Sequence, residues 1–312
     1  MKKTRNGLIQ IGVLVALGAA MAASSILPRD TGRTAEPTEV SVVIRESDST
    51  LWANTRLGME QAAAELQTEL RFLTLPQAND PEAQLQVLRW EGEQGADALV
   101  VVPADPAALS LSLIEAPLNR PLVSMESPME GAALTVAPDN GALGRALAMA
   151  ALEDWRSGAV LLLCGSRPGT GPALRAEAAR QTLLQAGIRV QWADLAEEGD
   201  LRQLLESADA AAVLVFEPAL TEQVSALKES LGLEASLYGV GVTAAVAARL
   251  ERGSIAAVAA WSDFVAGYLA VERAVSTARG QEEPMEQLPF FVVRGDEIYD
   301  PEYQKLLFPV TA

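Results

Sequence analysis

Short apolar runs alternating with helix-spaced stretches fill this chain from residue 40 onward, and that alternation constrains the fold more than any other feature. Val40-Ser41-Val42-Val43-Ile44 is a β-branched run. After a polar loop, Met59, Ala62, Ala63, Leu66 and Leu70 follow at helical spacing. The unit repeats with Phe72 to Leu75 before a helix from Asp80, Ala98 to Val102 before a helix from Asp105, and Leu122 to Met125 with Leu134 to Val136 before a helix from Asn140. A second series runs through 159–163, 190–192, 212–216 and 237–240. Continuously apolar strands between amphipathic helices imply parallel sheets covered on both faces. Two such series imply an α/β fold of two doubly wound parallel-sheet lobes. Asp80-Pro81 and Asp105-Pro106 read as helix starts, with Asp as the N-cap and Pro at the first helical position, where it loses no hydrogen bond. In sheets of this kind ligands bind beyond the carboxyl ends of the strands, so the loops after each strand carry the candidate site.

Composition removes several function classes. The 312 residues allow one large domain or two ordinary ones. With 24 Lys and Arg against 41 Asp and Glu, the net charge of −17 argues against a nucleic-acid partner, whose phosphates need clustered cations. There is no histidine and a single cysteine, Cys164. Imidazole catalysis, an intramolecular disulfide and a thiolate zinc cluster are thereby excluded. Carboxylate, lysine or hydroxyl chemistry stays open, but no carboxylate pair is fixed by a motif. We expect no enzyme, no cofactor and no metal.

Lys2, Lys3 and Arg5 precede an apolar run from Leu8 to Ala23 that continues through Ile26 and Leu27. Cations followed by an apolar run make an export signal. Ala20-Met21-Ala22 offers a cleavage site, while about 20 apolar residues could also span a bilayer. Residues 1–27 are therefore expected to be a signal peptide or a retained membrane anchor, and residues 28–37, turn-forming at Pro28, Asp30, Gly32 and Pro37, a linker. The rest would be extracytoplasmic. Residues 1–22 hold three cations and no anions, so the chain from residue 23 onward carries 21 Lys and Arg against 41 Asp and Glu, a net of −20.

The strand-end loops, in order, resemble the sugar-binding type I periplasmic binding proteins, which share their fold with the ligand cores of LacI-type repressors. In the first lobe the resemblance rests on Ser49-Thr50-Leu51-Trp52, Gly58-Met59-Glu60-Gln61-Ala62-Ala63, Gln77-Ala78-Asn79-Asp80-Pro81, Pro103-Ala104-Asp105-Pro106, Ser124-Met125-Glu126-Ser127 and Val136-Ala137-Pro138-Asp139-Asn140. In the second it rests on Gly165 at a strand end, Arg175 on the next helix, Gly239-Val240-Gly241 and Gly253-Ser254-Ile255 before Gly267-Tyr268. It implies lobe 1 over 38–139 plus 261–289, lobe 2 over 140–260 plus 290–312, and a hinge of several chain crossings.

The resemblance also implies site residues. Trp52 stands where the family presents an aromatic ring to a sugar face, and Glu126 where it usually has an aspartate. Arg175 aligns with a ligand-binding arginine, with Arg167 as a nearby alternative. Trp52 could equally pack the first helix onto its sheet, and Glu126 could be only solvated. Ser49 and Glu217 belong to the same loops, and Trp261 and Asp263 could rebuild part of the pocket. The loop Gly165 to Gly171 lacks the Gly-Lys-Ser/Thr ending of a P-loop, and Gly239-Val240-Gly241 lacks the third glycine of a dinucleotide fingerprint. Three positions depart from the family. Glu217-Pro218 replaces Asn-Asp, Gly241 replaces an aspartate, and Ala260 replaces a polar hinge residue.

The expected function is an extracytoplasmic solute-binding protein, a monomer that captures a small polar ligand, a saccharide, between its lobes for an ABC permease. The alternative is a membrane-anchored sensory or scaffold module of the same fold, with a degenerate or non-sugar site, docking on a membrane sensor protein. A repressor is disfavoured because nothing before Val40 resembles a helix-turn-helix.

Overall fold

Val40, Val42, Val43 and Ile44 are all fully buried, as a strand covered on both faces requires. They belong to β1 (Thr38–Val43) and its exit. The computed structural model describes residues 37–165, 170–195, 200–281, 287–301 and 303–304. The expected signal or anchor, the linker up to residue 36 and Arg167 lie outside these residues. Among the described residues no helix is long and apolar enough to cross a membrane.

From β1 a 3-10 turn (Thr50–Trp52) leads into α1 (Ala53–Leu66), then β2 (Thr68–Leu73), α2 (Pro81–Gln94), β3 (Ala98–Val101), α3 (Pro106–Glu115), β4 (Leu122–Met125) and β5 (Leu134–Val136). These strands form one parallel sheet in the order β2-β1-β3-β4-β5. Next come α4 (Asn140–Asp154), β6 (Ala159–Cys164), α5 (Gly171–Gln185), β7 (Val190–Asp194), α6 (Leu201–Ser207), β8 (Ala210–Val215), α7 (Pro218–Leu231), β9 (Ser236–Val240), α8 (Ala244–Glu251) and β10 (Ala257–Trp261). Helix α9 (Asp263–Ala278) and β11 (Phe290–Arg294) complete the described elements. The second sheet runs β11-β10-β9-β8-β6-β7, parallel except for the antiparallel pair β10 and β11. The two α/β lobes have the type I periplasmic binding protein fold expected from the sequence.

Local chemistry sets the boundaries. Asp80 accepts hydrogen bonds from the backbone N–H groups of Glu82 and Ala83, and Asp105 from that of Ala108, so both Asp-Pro pairs start helices as expected. One expectation needs correction. Leu70, read as part of the first helix, lies in β2, which starts at Thr68 rather than Phe72. Gln67 adopts a left-handed conformation (φ 54°) and its N–H closes on the carbonyl of Ala63, which stops α1 there.

Among the described residues the chain passes between the sheets three times, after β5, between β10 and α9, and before β11. Helix α9, although late in the chain, buries Ala266, Ala270, Val271, Ala274 and Val275 against Val40, Val42 and Val100 of the first sheet. It crosses α1 closely. A Cβ on Gly267 would lie 1.9 Å from the Thr55 carbonyl oxygen, and one on Gly58 1.9 Å from that of Phe264. Only glycine permits this reciprocal approach of two helix backbones. Strand β11 returns to the second sheet, with Val293 buried beside Val258 and Ala260. Trp261, at the second crossing, packs against core residues of both lobes.

Candidate functional site

The carboxyl ends of both sheets open onto one cleft of about 800 Å³. That size suits a small-molecule site. β1 delivers Arg45 and Glu46, the 3-10 turn delivers Thr50 and Trp52, and β4 delivers Met125 and Glu126. From the second sheet come Glu217 after β8, Gly241 and Thr243 after β9, and Trp261 and Asp263 around the end of β10. This is where a doubly wound sheet gathers its ligand loops.

An ionic chain runs through the wall. Arg45 lies 3.2 Å from Glu46 through Nε and donates through Nη1 to Glu126 Oε2. The other oxygen of Glu126 stands 3.6 Å from Arg175 Nη1. Glu126 itself has φ 62°, uncommon for a residue with a side chain. Its backbone is fixed by an N–H bond to the Val136 carbonyl at 3.0 Å and by the Asn140 amide donating to its own carbonyl at 2.9 Å. Gly171 presses on the same spot, since a Cβ there would stand 2.5 Å from the Glu126 carbonyl oxygen. The Gly171 N–H donates to Ser127 Oγ at 2.8 Å, tying the start of α5 to the loop after β4.

Burial and pairing set the charges. Burial would lower the pKa of Arg45, yet Glu126 and Glu46 outweigh it and hold that guanidinium above its ordinary value. Burial would likewise raise Glu126, but Arg45 and Arg175 keep its carboxyl below the usual range. Arg175 goes the other way. Burial holds it below its ordinary value despite Glu126 nearby. Burial also raises Glu46, which Arg45 offsets only in part. Asp263 is pushed up to about 6, first by burial and then by Glu126, with Arg175 opposing.

Five of the seven site residues expected from the sequence, Trp52, Glu126, Glu217, Trp261 and Asp263, line this cleft together. Ser49 and Arg175 do not. Ser49 sits before the 3-10 turn, its carbonyl accepting the Trp52 N–H at 3.0 Å, while its neighbour Thr50 reaches the cleft. Arg175 is fully buried beneath the wall, donating through Nε to Asn140 Oδ1 at 2.7 Å and through Nη1 to the Phe216 carbonyl at 3.2 Å. Its guanidinium lies 4.7 Å from the centre of the Trp261 ring, a cation-π contact. Trp52 lines the cleft and packs on the first-lobe core, with its indole N–H donating to Glu46 at 3.0 Å. Glu217 accepts the Gly165 N–H at 2.7 Å.

Two of the departures explain each other. Gly241 has φ 81°, and a Cβ on it would fall 2.7 Å from the Cβ of Pro218. The proline ring fills the room that a side chain at 241 would need. The third, Ala260, is buried in β10 within the second-lobe core. Arg45, Glu46, Glu222 and Thr243, not expected from the sequence, also line the cleft. The signal for the first two was present, since they directly follow Ile44 at the exit of β1.

Residues 40–282 match the family model described as a periplasmic binding protein domain. The chain belongs to this family. No curated protein matches this periplasmic binding protein by sequence. Among solved structures, it is similar to GanP, a glucose-galactose binding protein from Geobacillus stearothermophilus, with a TM-score of 0.75 and 21% identity over 85% of this chain and 99% of that one. An ABC transporter solute-binding protein from Agrobacterium vitis, bound with alpha-D-tagatopyranose, gives a TM-score of 0.77 and 18% identity over 88% of this chain and 100% of that one. A chain of the XylFII-LytSN complex gives a TM-score of 0.70 and 14% identity over 83% of this chain and 98% of that one.

Proposed function

We propose that this chain is an extracytoplasmic solute-binding protein that captures a small polar ligand, a saccharide, in the cleft between its lobes and presents it to an ABC permease. The observation that carries the reading is the cleft itself, walled by strand-end loops of both sheets and flanked by Trp52 and Trp261. Sugar-bound solute-binding proteins among the structural neighbours support the ligand class. An indole can cover the apolar face of a pyranose, while Asn54, Asn79 and Thr50 along the rim can reach hydroxyls. Lobes divided at 38–139 plus 261–289 and 140–260 plus 290–312 fit the packing of α9 on the first sheet and β11 on the second. Closure of such lobes is stabilised only by what the ligand contacts better in the closed state.

The test is a panel of pentoses, hexoses and related metabolites added to the purified protein, read by thermal shift and by tryptophan emission. A member that raises the melting temperature and perturbs Trp52 or Trp261 is the expected result. Silence across the panel on both readouts would defeat the saccharide reading.

A second reading, a sensory module docking on a membrane partner, draws on the structural neighbour from the XylFII-LytSN complex and on the departures at Glu217-Pro218 and Gly241. Residues 1–22 still attached to protein in the membrane fraction would favour it. A soluble form lacking them favours transport.

A further inference from the structure

The cleft is marked as a site by its volume and its place at the strand ends, and its side chains then decide what charge it accepts. Among the described residues, one guanidinium, that of Arg45, lines it against five carboxylates, those of Glu46, Glu126, Glu217, Glu222 and Asp263. With Arg175 beneath the wall counted, the described residues leave three negative charges in excess. The hydrogen-bond inventory is tilted the same way. Arg45 already serves Glu46 and Glu126, and the Trp52 indole N–H already serves Glu46. Among the described residues Glu217 takes the Gly165 N–H, and Glu222 takes the Thr243 hydroxyl at 2.7 Å. The Asp263 carboxyl, partly buried in the first turn of α9, makes no hydrogen bond or ion pair with any described residue. Its opposite-charge neighbour, Arg175, is held instead by Asn140, Phe216 and the Trp261 ring.

A neutral sugar hydroxyl both donates and accepts, so it would bring lone pairs into a wall already rich in them. An ammonium brings three donors and no acceptor. It also supplies the positive charge that a carboxylate withdrawn from water otherwise lacks. A cleft of one sign, bounded by low-dielectric walls, concentrates ligands of the other sign. We propose that the cleft selects a small ligand carrying a protonated amine, an amino sugar, with the ammonium seated at Asp263 and the ring against Trp52. Asn54, Asn79 and Thr50 serve the remaining hydroxyls. This rests on the reading of the cleft as a solute site and adds the charge of the solute.

Calorimetric titration of the full chain at pH 7.0 compares D-glucosamine and D-galactosamine with D-glucose and D-galactose, and with the two N-acetylated sugars, which keep the skeleton and lose the charge. The expected result is an amine preference of about tenfold or more over both neutral sets. Asp263→Asn, checked for an intact cooperative melt, should shrink the ratio of amine to neutral affinity, and Glu217→Gln, which keeps an acceptor for Gly165, should shrink it less. Neutral sugars binding as tightly as the amines, or an amine preference untouched in both variants, overturns this inference and leaves the saccharide reading standing. Absence of heat from all six sugars overturns the inference outright, and the wider sugar panel then decides the saccharide reading separately.

Discussion

Arg175 is stacked 4.7 Å from the centre of the Trp261 ring while its Nη1 faces Glu126 at 3.6 Å, so a cation from the second lobe is held at the junction of both lobes without reaching the cleft surface. Its removal should act first on stability. Loss of this buried cation leaves Asn140 and the Phe216 carbonyl without a donor and Glu126 with Arg45 alone. Breaking such a buried network costs about 3 kcal/mol or more. Denaturant melts of Arg175→Ala should show that loss, with Arg175→Lys intermediate because it keeps the charge and loses the planar fork. An Arg175→Ala protein as stable as the parent would contradict it.

Asp263 should make stability fall as pH rises through a defined window. An ordinary aspartate titrates at 3.8, whereas in the fold this one keeps its proton up to about 6. Glu126 and Arg175 are the charged groups that act on it, and Arg45 and Glu217 line the same cleft. Between those two values the native state binds more protons than the unfolded chain, so the folded form loses stability with rising pH there. Above about 6 the full penalty, about 3 kcal/mol at most, is present. Asp263→Asn should therefore stabilise the ligand-free protein at pH 8 and leave it unchanged at pH 4. Equal effects at both pH values would show that the charge is not the cause.

Gly241 and Pro218 should be energetically coupled. Gly241→Asp restores the family's residue, but it places a side chain at φ 81° and against the proline ring. We expect a loss of about 2 kcal/mol from strain and overlap. Adding Pro218→Ala should recover about 1 kcal/mol of it, measured as a double-mutant cycle by denaturant unfolding. Strict additivity would mean that the two departures are independent.

The crossing of α1 and α9 should tolerate no side chain at its centre. Gly267→Ala and Gly58→Ala each drive a methyl to within 1.9 Å of a facing carbonyl oxygen unless the helices separate. Overpacking of this kind costs about 3 kcal/mol. Thermal melts of the two variants should be lowered together, because each opens the same interface.

Much of the fold was legible because its parallel strands are covered on both faces, so β6 stands out as an unbroken apolar run and β1 as one interrupted only by Ser41 from Val40 on, while Asp-Pro pairs announce α2 and α3. Legibility failed where residue type is ambiguous. Leu70 kept the helical rhythm of α1, and only the left-handed Gln67 ends that helix. β10, Ala257-Val258-Ala259-Ala260-Trp261, is alanine-rich and passes for helix, because its strand character comes from the neighbours β9 and β11. At the site, the resemblance and the strand-end loops together brought Trp52, Glu126, Glu217, Trp261 and Asp263 forward, and all five line the cleft. The depth of Arg175 was not legible, since it depends on Asn140, Phe216 and Trp261 converging from three separate stretches of chain.

The pairing of two crossings has a mechanical consequence. The Leu288 N–H donates to the Ala137 carbonyl at 3.2 Å, and Pro138 and Leu288 form a parallel bridge. Two of the three connecting strands are thereby laced into one ribbon, with Trp261 leading into the third. A ribbon bends readily across its flat face and resists shearing along its length. Any swing of one lobe that keeps this lacing intact is confined to a single axis, like a book opening on its spine.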